Sequence, residues 1–352
     1  MSDNLELKHG GCRLLSSAAN VASSQSHIIN DVHLVIRTSG ERTTAVSRRL
    51  AIAAGLVEED VTTVSEVPFE VALRICYEAA IRAARKWTMT LDADVLLMPS
   101  AISELLGFAE QMPPHFFHLE GKVFDKITGI YRQAGHRIYR TELLPLALAE
   151  IPDPGAQIRP EYHTITRMVG LGYPSRLVAS PVGLHDFEQY YVDLYRKSVV
   201  HATKHQELLP ELIARGARLA PADPDFLVIL KGLWDGLVTA DSVTIDARRY
   251  DDQAADALQS LGIAEKAPII DSAGFVRRCP VLFDEIQSAH PVPDFSVWDQ
   301  VPASSALSAP TESHQHSWFE KARGRMKRRG PIRGGIASLG ALLRLAGQRL
   351  ER

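Results

Sequence analysis

The chain has 352 residues, 45% hydrophobic and 23% charged, with a net charge of −3. That balance suits one large or two smaller globular domains and excludes a disordered or fibrous chain. The three cysteines, Cys12, Cys76 and Cys279, are too scattered for a C-x-x-C pair or a disulfide framework, so reduced thiols in a cytoplasmic protein are expected. Neither a signal peptide nor a membrane span is expected, because no apolar segment of the required length occurs.

Residues 1–30 are polar and Ser-rich, and predict a loose arm or a strand that joins a sheet. Val32 to Ile36 is a short β-branched run and reads as a buried strand. It stops in the polar loop Arg37-Thr38-Ser39-Gly40-Glu41, and a helical pattern follows over 45–54. Val61 to Val64 predicts a second strand, which ends at Ser65-Glu66-Val67-Pro68. From Phe69 to Lys86 apolar residues recur at helical spacing. Trp87 to Leu91 predicts a third strand running into Asp92-Ala93-Asp94, and Pro99-Ser100 opens another helix.

Strand and helix thus alternate through about 110 residues, which predicts an α/β fold with a mostly parallel sheet. In such sheets ligands bind beyond the carboxyl ends of the strands, so Arg37, Glu66 and Asp92 are candidates to line one crevice. Further strands are expected at His115 to Val123, Gly135 to Tyr139 and 175–180. Helices are expected at 144–149, at 160–173 and over a long stretch, 187–209. The segment 207–290 reads as mostly helical.

Asp92 and Asp94 are the sharpest chemical feature. Two carboxylates this close repel each other, and burying them without a partner is costly. A hard cation such as Mn²⁺ or Mg²⁺ removes that cost, and such cations bind carboxylates together with substrate phosphates. His201 and His205 share a helix face, but no H-E-x-x-H glutamate accompanies them and they read as solvated.

A second pattern lies downstream. Glu161 is followed six residues later by Arg167 and, five beyond that, by Gly172-Tyr173. With the Asp92-Ala93-Asp94 turn before it and His185 after it, this order resembles the inverting family 2 glycosyltransferases of the GT-A fold, over about residues 32–195. Two departures stand out. Pro160 occupies the place of the family's first acid, and Ser65-Glu66-Val67-Pro68 replaces its usual Asp-Asp-Gly-Ser turn.

The resemblance implies a Rossmann-like fold, with a mixed, mostly parallel central sheet flanked by helices. It implies that Glu161 is the catalytic base, that Asp94 and His185 ligate the metal, and that Asp186 is a fallback ligand. Arg37, Thr38 and Glu41 would meet the nucleotide where the first strand ends, and Glu66 the base. Arg74 would face the diphosphate, and Asp92 the ribose or sugar.

The expected organisation is a catalytic domain over 1–205, a helical C-terminal extension over 206–290 and a flexible linker over 291–317. Residues 318–352 form a basic tail. Its ten Lys or Arg against two Glu give +8, which leaves −11 on the other 317 residues. Leucines and isoleucines fall near one helical face there, which suits an anionic membrane surface, and the sparse aromatics argue against nucleic acid.

The reading is a metal-dependent glycosyltransferase at the inner membrane face. It would move sugar from a nucleotide-diphosphate donor to a glycan or lipid-linked acceptor. The rivals are a sugar nucleotidyltransferase, which usually carries a more Gly-rich phosphate loop than one with Gly40 alone, and a non-catalytic sugar-nucleotide-binding protein.

Overall fold

The computed structural model describes residues 28–204, 206–238 and 247–293. The expected arm up to residue 27, His205, most of the linker and the whole basic tail lie outside the described residues.

The fold is mixed α/β, with a central sheet flanked by helices. Its strands are β1 (Val32–Arg37), β2 (Val61–Val64), β3 (Trp87–Asp92), β4 (Val95–Leu97), β5 (His118–Asp125), β6 (Tyr131–Arg132), β7 (His136–Arg140) and β8 (Ser175–His185). The order across the sheet is β2-β1-β3-β7-β5-β8-β4, with β6 paired to β5. The two longest ladders, β1 with β3 and β5 with β8, are parallel, while β7 and β4 join by antiparallel pairing.

Helices cover the faces. They are α1 (Thr44–Ala53), α2 (Phe69–Ala83), α3 (Ala101–Ala109), α4 (Leu144–Ala149), α5 (Pro160–Gly170) and α6 (Tyr191–Lys204). Then come α7 (Leu209–Leu219), α8 (Pro224–Val238), α9 (Asp251–Leu261) and α10 (Ser272–Ala289). The β-branched and apolar runs of β1 and β3 are buried on both faces, which is why they read as continuous rather than alternating. Leu34, Ile36, Met89 and Leu91 are fully buried in one core with α1, α3 and α10. Each such side chain contributes roughly 1.5–3 kcal/mol. Val35 faces the other way, into a core with α2, α4 and α5.

Several boundaries differ from expectation, and three elements show a local reason. Helix α2 ends at Ala83, because Ala84 turns left-handed at φ 53°. Strand β8 runs on to His185, so that histidine closes the strand instead of following it. The long helix expected over 187–209 is shorter at both ends. Asp186 and Glu188 hold positive φ values and delay its start, and Pro210 opens a separate helix α7.

Helix α6 packs chiefly on α8, in a third core with α7 and α9. A Cβ on Gly232 of α8 would sit 2.6 Å from the Tyr195 carbonyl oxygen, so only glycine lets the two helices approach this closely. This contact fixes α6, and with it Lys197, against the carboxyl ends of the strands.

Candidate active site

Strand register does the first part of the assembly. Arg37 is the partner of Asp92 across β1 and β3, and Asp125 the partner of His185 across β5 and β8. The charged ends of four strands therefore meet at one edge of the sheet, opening on a cavity of about 1040 Å³. Of the expected site residues, Arg37, Thr38, Glu41, Glu66, Asp92, Asp94, Glu161 and His185 line this cavity.

The Asp92-Ala93-Asp94 turn is held by backbone and hydroxyl groups. Ala93 N–H donates to the Arg37 carbonyl at 2.9 Å, and the Ala93 carbonyl accepts from Thr43 Oγ1 and Ser47 Oγ at 2.6 and 2.9 Å. Asp92 N–H donates to the Gly135 carbonyl at 2.6 Å. Gly135 has φ +67°, and a Cβ there would lie 2.5 Å from Val95 Cγ2 and 3.2 Å from His185 Cδ2. With Ala93 pinned, the two carboxylates enter different surroundings.

Asp92 joins a buried cluster of arginines and acids. Arg37 Nε donates to Asp92 Oδ1 at 2.7 Å, and Arg37 Nη1 lies 2.8 Å from Glu161 Oε1. Glu161 also accepts from Arg137 Nη1 at 2.6 Å and from Tyr139 Oη at 2.8 Å. Burial alone would raise the Glu161 pKa, but Arg137, Arg37 and the Tyr139 hydroxyl bring it down to about 2. Glu161, expected as the catalytic base, thus lies between two arginines and a hydroxyl. Both oxygens are engaged by cations or a hydroxyl, and a carboxylate with so low a proton affinity is a poor proton acceptor. Its structural work is to bind α5 to β1 and β7.

Asp94 enters a second cluster. Lys197 Nζ donates to Asp94 Oδ2 and to Asp186 Oδ1. His185 Nδ1–H donates to Asp125 Oδ2 at 2.8 Å and lies 3.0 Å from Asp186 Oδ2, while its Nε2 lies 3.5 Å from Asp94 Oδ1. Arg132 completes the group, with Nε 2.8 Å from Asp125 Oδ2. Burial would depress the His185 pKa, but Asp186, Asp94 and the bond to Asp125 raise it to about 10. Three carboxylates thus face three cationic side chains. Asp186 takes its left-handed φ of 65°, which Asp tolerates better than most residues, and its N–H donates to the Asp94 carbonyl at 3.1 Å.

Asp94, His185 and Asp186 present ligand atoms within 4.8 Å of one another, a spacing that a divalent cation can bridge. Asp94 Oδ1 is buried without a hydrogen-bond partner. His185 gives Nδ1–H to a carboxylate and turns Nε2 toward Asp94; once Nε2 gives up its proton to an arriving ion, this is the arrangement in which a histidine ligates metal. The donor set fits such an ion.

The loop after β1 is closed on itself. Thr38 Oγ1 donates to Glu41 Oε2 at 2.7 Å, and Ser39 N–H donates to the same oxygen at 2.7 Å. Burial and then Asp94 hold the Glu41 carboxyl above its usual pKa, so Glu41 stands within electrostatic reach of the second cluster. Glu66 follows β2 and lines the cavity wall.

Arg74 does not join them. It is exposed on α2, reaches the Leu148 carbonyl at 3.3 Å and lines no part of the cavity. The structure therefore does not bring Arg74, expected to face a diphosphate, to the other site residues. Arg74 falls on the α2 face that turns toward α4 rather than toward the strand ends.

Sequence reasoning missed Lys197, Asp125 and Glu120. Lys197 lies 103 residues from Asp94, a pairing no local pattern carries. Glu120 had a signal: a carboxylate within an expected strand, and in the structure every residue of β5 is buried, where ionisable groups are seldom placed without a use. It lines the cavity, with Oε1 3.6 Å from Arg137 Nη2. Burial first, then Glu161, raise its pKa to about 6 against the pull of Arg137.

No family model matches the chain, and no curated protein matches it. Solved structures do. One is a glycosyltransferase involved in the glycosylation of the major capsid of PBCV-1, at 13% identity and a TM-score of 0.31, spanning 42% of this chain and 80% of that one. A second, named as a nucleotide-diphospho-sugar transferase from Desulfovibrio desulfuricans G20, has 8% identity and a TM-score of 0.29, spanning 43% and 80%. A third is a CMP:2-keto-3-deoxy-manno-octonic acid synthetase complexed with CTP, at 12% identity and a TM-score of 0.30, spanning 44% and 93%. Similarity at this level assigns no residue and no substrate to this chain.

Proposed function

We propose that the chain is a glycosyltransferase that binds a nucleotide-diphosphate sugar in the 1040 Å³ cavity and passes the sugar to an acceptor hydroxyl. One observation carries this reading. The carboxylate turn Asp92-Ala93-Asp94 is fixed at the carboxyl ends of the strands, where α/β sheets bind ligands, with a buried Asp94 oxygen left unbonded.

Asp94, His185 and Asp186 would hold Mn²⁺ or Mg²⁺, which supplies Lewis-acid stabilisation of the leaving diphosphate when bound. Thr38, Glu41 and Glu66 would line the nucleoside side, and Arg37 holds Asp92 ready for a ribose or sugar hydroxyl. Transfer with inversion, as in the family 2 type, needs a carboxylate on the acceptor side. Glu120 suits that step better than Glu161, because its proton affinity lies near neutrality and one oxygen lacks a hydrogen-bond partner.

The acceptor would be a glycan or a lipid-linked sugar. Among the described residues no helix is long and apolar enough to cross a membrane. Contact with an anionic membrane surface would fall to residues 318–352, and flotation with vesicles of anionic lipid, with and without them, tests it.

The test of the main reading is a panel of nucleoside diphosphates and their sugars, incubated with Mn²⁺. Binding of a nucleoside diphosphate followed by sugar release supports it, and Glu120→Gln should slow the release by roughly 10²–10⁴-fold. No binding by any member of the panel defeats it. Consumption of a nucleoside triphosphate with release of pyrophosphate would give the nucleotidyltransferase instead.

A further inference from the structure

The Lys197 ammonium bonds both carboxylates that a divalent ion would need. It comes from α6, whose position is fixed by the close contact with Gly232 of α8, so it reaches the cluster from the helical side and not from the sheet. An ammonium has three donors. Two go to Asp94 Oδ2 and Asp186 Oδ1, and Lys197 itself lines the cavity, which leaves the third for whatever enters. The side chain keeps 23% of its surface exposed, so it has room to move toward the cavity.

We propose that Lys197 is the resident counter-cation of this site. It must leave Asp94 and Asp186 before these can ligate a divalent ion, and a diphosphate in the cavity is the anion that accepts it. The charge count favours this. With Lys197 in place both carboxylates that would ligate the ion, Asp94 and Asp186, already hold a cation, and Asp125 holds Arg132. A divalent ion alone would add two positive charges beside an ammonium already seated there. A divalent ion arriving with a diphosphate adds no net charge, and the freed ammonium gains a phosphate oxygen in exchange for its carboxylates. The cation site would therefore be weak in the empty protein and strong only with the donor present.

The proposal rests on the reading of Asp94, His185 and Asp186 as a cation site, so its test reads the ion directly. Mn²⁺ binding is measured by electron paramagnetic resonance on the full chain without nucleotide. The expected result is weak binding by the wild type and binding tighter by on the order of tenfold or more in Lys197→Met, since truncating one partner of a buried ion pair frees the other for a new cation. Lys197→Arg, which keeps the charge, should stay as weak as the wild type. Should Lys197→Met not fold, Lys197→Gln, which keeps a donor to one carboxylate, takes its place.

Equal, tight Mn²⁺ binding by wild type and variant overturns the role of Lys197 while leaving the nucleotide-sugar reading intact. Absence of Mn²⁺ binding in every variant overturns the proposal together with the cation site. Failure of the nucleoside diphosphate panel with intact Mn²⁺ binding would instead strike the proposed function alone.

Discussion

The two charge clusters on either side of Ala93 both pair buried carboxylates with cations yet behave differently. In one, Glu161 is gripped by Arg37, Arg137 and Tyr139, and its proton affinity falls far below that of an ordinary carboxyl. In the other, Asp94 keeps a buried oxygen without a bond, and its neighbour Lys197 faces the cavity. The difference teaches where to look for chemistry. A carboxylate with both oxygens held by cations or hydroxyls has little left for a ligand, whereas one held at a fixed position with an unbonded oxygen has spare capacity.

The largest effect that would break this comparison is expected in the closed cluster. Glu161→Gln leaves Arg37 and Arg137 without their anion and should cost about 3–5 kcal/mol of stability, read as a fall in urea midpoint. The acid limb gives the same information. A folded pKa of about 2, below the usual carboxyl value, means stability that is present above pH ~4.5 and lost as pH falls toward 2. The wild type should lose on the order of 3 kcal/mol across that window from this group, and Glu161→Gln should lack that component. An unchanged midpoint would mean that the cluster is not structural.

The open cluster should show the reverse pattern. Asp94→Ala is expected to lower sugar release by roughly 10²–10³-fold while the fold survives. If melting falls as far as in Glu161→Gln and turnover does not, the two roles have been exchanged. A smaller effect is expected between the clusters. Gly135→Ala places a methyl against Val95 and His185 at a positive φ and should cost about 1–3 kcal/mol, with turnover falling in parallel. The smallest belongs to Arg74→Ala, which should stay within about 0.5 kcal/mol and leave turnover unchanged. A selective loss of diphosphate binding there would place Arg74 at the diphosphate after all.

The strands and helices up to Ala109, other than β4, were legible because each is a short apolar run or a helical period ended by polar residues. Val61–Val64 and Leu144–Ala149 match to the residue. Asp92, Asp94 and His185 were legible as candidates because acids and imidazole next to buried strands need a reason. What they touch was not legible. Glu161 looked like a base from spacing alone, yet its environment is set by Arg37, Arg137 and Tyr139 on two other strands. Lys197 sits in a polar helix among several cations, and only the packing of α6 on α8 singles it out. Register and helix packing are long-range properties, and they decide whether a carboxylate is free or spent.

Ala93 draws one consequence for pattern searching. Its side chain is fully buried, its N–H and carbonyl are both committed, and it separates the residue that looks to Arg37 from the residue that looks to Lys197. The middle letter of this D-x-D string is therefore not a wildcard. A search profile that allows only small residues there would keep chains able to make this turn and discard the many surface strings that merely spell it.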